Sequence, residues 1–191
     1  MPRPASDKRG RLAAAAAELV ATRGLDGATI AAIAERAQVP PGSVFYYLPS
    51  KEAIALAAVD SFAAERTAAI AEWSAADDPQ SRLISYLEAS VASAPAVIAS
   101  GNAASLAAHL RATSPSAAEA AAKVVLDTID WVSEQFEELG HSQQAAHARA
   151  LHLVTGIEGA GQLAHALADP TPLERESAHL SRWVANSRSS A

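Results

Sequence analysis

The stretch that decides the fold is residues 29–51, which read TIAAIAERAQVPPGSVFYYLPSK. Its first apolar positions are spaced as one face of a short helix, at Ile30, Ile33, Ala34 and Ala37. Thr29 is a good N-cap for this helix, because its hydroxyl oxygen can accept a hydrogen bond from a free backbone N–H. The pair Pro40-Pro41 ends the helix, since the residue before a proline is disfavoured in the helical region. Pro41 can begin a second helix, which we expect to end near Leu48.

Two short helices joined by a tight turn form a helix-turn-helix pattern. The core positions of this pattern are small or apolar, at Ala34, Val39, Val44 and Leu48. The residues of the second helix that we expect to face outward are Pro41, Gly42, Ser43, Phe45, Tyr46 and Tyr47. A short helix with two outward tyrosines is difficult to explain by packing alone.

Three runs of sequence carry a resemblance to a known family: AAAAELVATRG, TIAAIAERA and GSVFYYLPSKEAI. Together they make the chain from Arg11 to about Val59 similar to the DNA-binding domain of the TetR family of transcriptional regulators. The family usually has Tyr where this chain has Phe45, often has Gly at Gln38, and in many members has a polar, base-reaching residue at Pro41. These departures concern which DNA site is read, and leave the binding mode unchanged.

The resemblance implies an all-α protein with a helix-turn-helix DNA-binding domain at residues 1–50 and a ligand-binding and dimerisation domain at 51–191. Its partner would be a double-stranded, palindromic DNA operator, and the most favoured role is a homodimeric repressor released by a small-molecule effector. The residues expected to contact phosphates are Thr29, Tyr46, Tyr47 and Lys51. Ser43 is the best candidate for a base contact, Gly42 lets the backbone come close, and Pro41 and Phe45 offer apolar contact to thymine methyls. The simpler interpretation is a packed aromatic pair beside a solvated lysine.

Composition points to the same class. Half of the 191 residues are apolar while only 5% are aromatic, and alanine, the best helix former, supplies most of the apolar count. The chain has no cysteine, begins with a polar stretch rather than a signal peptide, and has no apolar run that could span a bilayer. We therefore expect a cytoplasmic protein without a membrane partner. Residues 1–55 carry seven basic and five acidic side chains. Residues 56–191 carry eight basic and sixteen acidic side chains, so the acidic excess of the chain lies there.

Proline, glycine and capping residues divide the chain into nine predicted helices. Residues 1–8 are expected to be a flexible basic arm, which on DNA could follow the minor groove. A first amphipathic helix ends at Gly24, and a long fourth helix runs from Ser50 to about Trp73 and links the DNA-binding head to the body. Pro95 and Gly101 are expected to end the fifth helix. The later helices are placed at about 102–113, 115–139, 142–168 and 172–184.

The eighth predicted helix has apolar residues on two faces, which favours burial on two sides. The eighth and ninth helices are therefore predicted to form a dimer interface, a four-helix bundle with two helices from each subunit. The residues assigned to this interface are Val154, Gly156, Gly159, Leu163, Leu180 and Trp183. The alternative is that helices of the same subunit cover the second face.

Polar and aromatic residues on the apolar stripes of the body are candidates for a small-molecule site. The residues assigned to it are Phe62, Arg66, Tyr86, Asn102, His109, Trp131 and Glu158. Together they suggest a largely apolar cavity with a few hydrogen-bonding groups, although each alone is more simply a core residue. The segments GNAASLAAHLRATSPS and LVTGIEGAGQLAHAL are similar to the effector domains of the LmrA/YxaF-like branch of the family.

An enzyme is the rival class, and the motifs argue against it. The six histidines form no HExxH, and the chain has neither GxSxG nor a cysteine nucleophile. The run Gly156-Ile157-Glu158-Gly159-Ala160-Gly161 is not GxGxxG and has no strand before it, so a dinucleotide site is excluded. No cofactor and no metal are predicted. A helical interaction module that does not bind DNA is the other alternative, and the missing hydroxyl at Phe45 favours it slightly.

Overall fold

The computed structural model describes residues 5–187, which form ten α-helices and no strand. The helices are α1 (Ala5–Gly27), α2 (Ile30–Ala37), α3 (Pro41–Tyr47), α4 (Lys51–Trp73), α5 (Pro79–Ala92), α6 (Ala94–Ser100), α7 (Ala103–Leu110), α8 (Pro115–Glu138), α9 (Gln143–Leu167) and α10 (Thr171–Ala185). The all-α class predicted from composition is confirmed. The predicted arm at 1–8 lies partly outside the described residues, and from Ala5 onward the chain is helical rather than an arm.

Side-chain caps begin α4, α5 and α9, and the cap at Ser50 stands where the sequence predicted the start of the fourth helix. Ser50 accepts a hydrogen bond from the Ala53 N–H at the start of α4, and Asp78 accepts one from the Ser81 N–H at the start of α5. Ser142 caps α9 in the same way. Gly24 interrupts α1 at φ 70° and Gly140 follows α8 at φ 94°, both conformations that favour glycine.

The segment after α5 is the main difference from the predicted helices. Pro95 was expected to end a helix, but it stands in the first turn of the additional helix α6. Proline has no N–H to donate, and the first turn of a helix has no acceptor for one, so this position tolerates it. Gly101 then ends α6 with φ 78°.

The chain divides into two compact units. The first unit runs up to Glu65 and also contains Leu106–Ala122, and the second contains Arg66–Ser105 and the chain from Lys123 onward. The predicted boundary at residue 50 differs from this division, because the first half of α4 and a segment distant in sequence share the core of the first unit.

The core of the first unit joins the helix-turn-helix to that distant segment. Its buried members include Leu12, Leu19, Ile33, Val44, Leu48, Ile54, Val59, Leu110, Ala117 and Ala121. The four core positions predicted for the helix-turn-helix are all buried, with Val44 fully so and Val39 at 8% exposure. Burial of these apolar side chains is the main stabilisation of the head.

The second unit has its own core, in which α10 packs against α9 and α5, and α6 packs against α9. Its largest buried side chains include Tyr86, Leu83, Leu87, Phe136, Leu153, Leu173 and Leu180. Over residues 5–187, no single helix is long and apolar enough to cross a bilayer; only the bent pair Pro79–Ala92 and Ala94–Leu110 reaches that length and hydropathy together.

Candidate functional site

The turn between α2 and α3 is built from backbone geometry and one cap. The Thr29 hydroxyl accepts a hydrogen bond from the Ala32 N–H at 3.2 Å, so its own proton is left to donate to another group. Gln38 ends α2 in the left-handed conformation at φ 55° and ψ 49°, and its N–H meets the carbonyls of Ala34 and Glu35. The turn is therefore the tight one expected, with a glutamine at the position where glycine would be unstrained.

The outer surface of α3 is unusually apolar for a surface helix. Val44 is fully buried and anchors α3, while Phe45 is 61% and Tyr46 is 79% exposed. The Tyr47 ring meets the Tyr46 ring edge to face, with centroids 5.0 Å apart, and packs partly against the core. Of the three predicted outward aromatic residues, Phe45 and Tyr46 are free at the surface and Tyr47 is half-buried.

The start of α3 presents little side-chain bulk. Pro41 and Gly42 are exposed, and a Cβ placed on Gly42 would meet no other atom within 4 Å. Ser43 is half-buried, and its N–H bonds to the Pro40 carbonyl at 2.9 Å. This end of α3 could approach a flat or grooved surface closely.

Lys51 has a different partner from the predicted phosphate. Its Nζ donates hydrogen bonds to the carbonyl oxygens of Leu25 at 2.6 Å and Asp26 at 3.1 Å. The ammonium also lies 3.9 Å from the Asp26 carboxylate. Lys51 therefore ties the first turn of α4 to the corner between α1 and α2.

Two more basic side chains of the head, Arg11 and Arg36, also bind other residues of the head. Arg11 donates from Nη1 to the Ala37 carbonyl at the end of α2, at 3.0 Å. Arg36 forms an ion pair with Glu18 at 2.5 Å, which lowers the pKa of that carboxyl through a hydrogen bond and the guanidinium charge. These contacts join α1 to α2, so part of the positive charge counted in the sequence serves the fold.

In the second unit, an aromatic cluster surrounds two of the predicted ligand residues. Trp73 lies 5.0 Å from Tyr86 and 5.5 Å from Trp131, measured between ring centroids. The Arg66 guanidinium carbon stands 5.6 Å from the centre of the Trp73 ring. Trp73, which the sequence predicted only as the end of the long fourth helix, is the member that joins the others. Burial is the main cause that raises the pKa of the Tyr86 hydroxyl.

Glu158 and Asn102 form a polar group next to the start of α7. The Glu158 carboxylate accepts from the Ala104 N–H at 3.3 Å, and the Asn102 amide donates to the Glu158 backbone carbonyl at 2.7 Å. Burial raises the pKa of Glu158, while the Ala104 N–H and the charge of Arg66 act in the opposite direction. Arg66, Tyr86 and Glu158 therefore interact electrostatically, as a polar edge to an aromatic cluster.

The structure divides the predicted ligand residues between the two units. Phe62 is half-buried and His109 exposed in the first unit, whereas Arg66, Tyr86, Asn102, Trp131 and Glu158 belong to the second. The Trp131 Nε1 donates to the Ser74 hydroxyl at 2.9 Å, so its polar atom already has a partner.

The predicted dimer residues also separate into two groups. Val154 and Leu180 are buried within the protomer, and a Cβ on Gly156 would lie 2.7 Å from Glu176 Oε1 and 3.1 Å from Leu180 Cδ1. Gly156 and Leu180 pack α9 against α10 of the same chain, and Val154 lies in the same core, which was the alternative considered for the second apolar face. Gly159 and Leu163 are exposed, and Trp183 is half-buried against Phe136, His152 and Arg149.

Comparison with known proteins agrees with the helix-turn-helix. Residues 12–58 match the family model described as bacterial regulatory proteins, tetR family. No curated protein sequence matches the chain.

Solved structures match the chain over nearly its whole length. A TetR transcriptional regulator from Chloroflexus aurantiacus is 26% identical with a TM-score of 0.80, covering 95% of this chain and 96% of its own. A transcriptional regulator from Rhodococcus sp. Rha1 is 26% identical with a TM-score of 0.71, covering 92% and 95%. A TetR-family regulator from Streptomyces coelicolor shares the fold at 19% identity and a TM-score of 0.77, covering 97% of each. The helix-turn-helix of this chain therefore matches the tetR family model, and its whole fold is shared with solved TetR-family transcriptional regulators.

Proposed function

We propose that the protein is a homodimeric repressor that binds a palindromic DNA operator through α2 and α3 and is released by a small-molecule effector. The observation that carries this proposal is the exposed surface of α3, where Phe45 and Tyr46 face outward from a helix anchored by the fully buried Val44. A helix-turn-helix places the N-terminal part of its second helix in the major groove.

In this arrangement the residues of α3 divide into two roles. Ser43 and Phe45, with Pro41 and Gly42, would face base edges, where a hydroxyl hydrogen-bonds and apolar atoms contact thymine methyls. The Thr29 and Tyr46 hydroxyls, with Tyr47 at the edge of the core, would donate to phosphates. Phosphate contacts fix the position of the head, and base contacts select the sequence.

Dimerisation is supported by a stripe on the outer face of α9. Five exposed residues follow one another at intervals of four: Leu151, Thr155, Gly159, Leu163 and Leu167. Three of them are leucines with exposures of 42%, 55% and 63% in chain order, and a Cβ on Gly159 would meet nothing within 4 Å. A ridge of residues four apart is what two helices use to interdigitate, and a central glycine lets their backbones approach. A second copy of α9 is the proposed occupant, flanked by Trp183.

The effector site is proposed at the aromatic cluster of the second unit. Tyr86, Trp131 and Trp73 supply apolar surface, and Glu158, Arg66 and Asn102 supply charge and hydrogen bonds at its edge. A largely apolar effector with a few polar groups suits such a lining. The likeness to the LmrA/YxaF-like branch remains a prediction.

The DNA-binding proposal is tested by selecting duplexes from a random-sequence pool with the purified protein. We expect the selected sequences to share two inverted half-sites whose centres are about 34–36 Å apart or a multiple of that distance. Gel mobility shifts over a salt series should then show retention of the selected duplex and much weaker binding of a shuffled duplex. Recovery of unrelated sequences, with equal binding of both duplexes, would point to a helical module that does not read DNA.

The effector proposal is tested by tryptophan fluorescence, because the cluster contains two of the three tryptophans in the chain. A compound library is screened for quenching, and each hit is added to the protein bound to the selected duplex. We expect compounds that quench to release the DNA, and the Tyr86→Ala variant to lose the quenching. Quenching that persists in this variant would place the ligand elsewhere.

A further inference from the structure

The first turn of α4 holds two distant parts of the N-terminal unit at once. Lys51 bonds to the corner between α1 and α2, as described above. The next residue, Glu52, accepts hydrogen bonds on both carboxylate oxygens, one from the Ser114 hydroxyl at 2.5 Å and one from the Ser116 hydroxyl. These serines lie at the corner between α7 and α8, more than sixty residues further along the chain.

The apolar contacts between this corner and the head fix proximity but not register. The residues that the corner contributes to the core are mostly alanines: Ala107, Leu110, Ala117, Ala118 and Ala121. Hydrophobic contacts are non-directional, and small side chains interlock weakly. A carboxylate that receives two hydroxyl groups, in contrast, fixes distance and orientation together.

The two hydrogen bonds are built into the structure rather than lying loosely on its surface. Ser114 is fully buried, and its hydroxyl donates to Glu52 from the residue that precedes α8. The hydroxyls of Ser114 and Ser116 lower the pKa of Glu52, so the carboxyl is ionised and accepts from both at neutral pH.

We propose that Glu52 is a positioning residue that locks Leu106–Ala122 to the DNA-reading helices, so that this segment is a working part of the reading unit. α7 begins at Ala103 and α8 continues to Glu138, so both helices leave the unit along the chain. A displacement carried by either helix then reaches α4 at a residue five positions after Tyr47. The consequence for DNA rests on the proposed function, whereas the locking of the segment does not.

The test compares four variants of the full-length chain, together with the combination of Glu52→Gln and the two serine changes. Glu52→Gln removes the charge, and Ser114→Ala with Ser116→Ala removes both donors. Ser116→Ala alone changes an exposed residue, and it replaces the double variant if that variant does not fold. Glu65→Gln is the matched control, since it makes the same chemical change at an exposed position of the same helix.

The first measurement needs no DNA. Hydrogen exchange of the free protein, followed by mass spectrometry, reports the opening of each segment. We expect faster exchange in both Leu106–Ala122 and α3 for Glu52→Gln and for the serine variants, and unchanged exchange for Glu65→Gln. Unchanged exchange of α3 in Glu52→Gln overturns the proposal, whatever the protein does with DNA.

The second measurement is affinity for the selected duplex, at a temperature where circular dichroism shows every variant fully folded. Removing a negative charge near DNA should by itself strengthen binding, as it would in Glu65→Gln. We expect Glu52→Gln to weaken binding about tenfold instead, the loss equivalent to one hydrogen bond to a charged group. Combining Glu52→Gln with the two serine changes should weaken binding little further, because all three substitutions remove the same contact.

The outcomes separate the two proposals. A purely structural role for Glu52 would lower the melting temperature but leave the affinity of fully folded protein unchanged, and this result overturns the positioning role. Additive losses from Glu52→Gln and the serine changes overturn it as well. If the wild-type chain binds no duplex, the proposed function fails, and the exchange measurement still decides whether Glu52 locks the segment.

Discussion

At the scale of single residues, Lys51 was predicted to contact a phosphate, and in the structure its ammonium group binds backbone carbonyls of the head. A cation at the first turn of a helix is unfavourable for the helix dipole, which made a bound phosphate a natural explanation. The structure supplies a different counterpart, two backbone carbonyls at the end of α1. Carbonyl groups near a helix end lack intrahelical partners and accept such a donor readily.

Lys51→Met should therefore lower the stability of the head while leaving its count of phosphate contacts unchanged. We expect a loss of about 1 kcal/mol in the free energy of unfolding, typical of one or two hydrogen bonds at a partly exposed site. The salt dependence of binding to the selected duplex should keep its slope, measured by mobility shift between low and moderate salt. A slope lower by about one unit would mean that the ammonium contacts a phosphate after all.

Gln38 is the residue with the clearest backbone strain in the head. A side chain at φ 55° costs about 1–2 kcal/mol relative to the right-handed region, and glycine avoids that cost. Glycine loses more entropy on folding, about 0.5–1 kcal/mol, which offsets part of the gain. Gln38→Gly should thus stabilise the protein slightly and raise its melting temperature by roughly 1–4 °C, as measured by calorimetry.

The control for Gln38→Gly is Gln38→Ala, which keeps a Cβ at the same positive φ. This variant should show no gain in melting temperature. A gain of equal size in both variants would mean that loss of the glutamine side chain, and not relief of the backbone, is responsible.

At the scale of helices, the residues that begin or end a helix could be predicted from the sequence, whereas the surfaces by which helices pack on one another could not. Ser50, Asp78, Ser142 and Gly140 act locally, on backbone groups within four residues, so their chemistry can be recognised in the sequence. α6 was missed because a proline can either end a helix or begin one, and only the following backbone decides which. The bonds from Glu52 to Ser114 and Ser116 join residues far apart in sequence, and no local pattern indicates them.

The sequence also could not predict which apolar face of α9 stays exposed. The sequence identified two apolar faces on this helix, but it did not indicate which one α10 would cover. α10 packs over Gly156, and the stripe that begins at Leu151 and ends at Leu167 stays exposed. Of the predicted ligand residues, Tyr86 and Trp131 do meet, joined by Trp73, which the helix pattern alone did not single out.

Burial of the Glu158 carboxyl, beside the start of α7, makes stability depend on pH. Burial raises the pKa of this carboxyl above its ordinary value of 4.5. A group with a raised pKa in the folded state contributes stability that is fully present below its ordinary pKa and is lost as pH rises through the folded value. The charged form at neutral pH is therefore the less favourable one for folding.

Glu158→Gln should for this reason be more stable than the wild type at neutral pH, and the difference should disappear below about pH 4.5. The glutamine oxygen can still accept from the Ala104 N–H, so the contact to α7 is kept. Urea denaturation at several pH values between 4 and 8 measures the effect, with Glu134→Gln, an exposed carboxyl on α8, as the control. A wild type more stable than Glu158→Gln at neutral pH would show that attraction to Arg66 outweighs burial.

At the scale of the whole molecule, binding to a palindrome depends on pairing two copies of the chain. A two-fold axis presents the same stripe of α9 from each copy, so each substitution on it occurs twice in the interface. The exposed leucines of the stripe are apolar surface that a second copy would remove from water. A measurement of the state of association is therefore also a test of the proposed operator geometry.

Leu163→Glu should dissociate the dimer, because it would place two uncompensated carboxylates at the centre of the interface. An unpaired buried charge costs about 3–5 kcal/mol, so the dimer dissociation constant should rise at least about 100-fold. Leu126→Glu is the matched control, since Leu126 is 58% exposed, against 55% for Leu163, and lies on α8, outside the proposed interface. Sedimentation equilibrium should find Leu163→Glu monomeric and folded and Leu126→Glu dimeric, and only Leu163→Glu should lose affinity for the selected palindrome. Dissociation by Leu126→Glu instead would move the interface to α8 and require a different placement of the two heads on DNA.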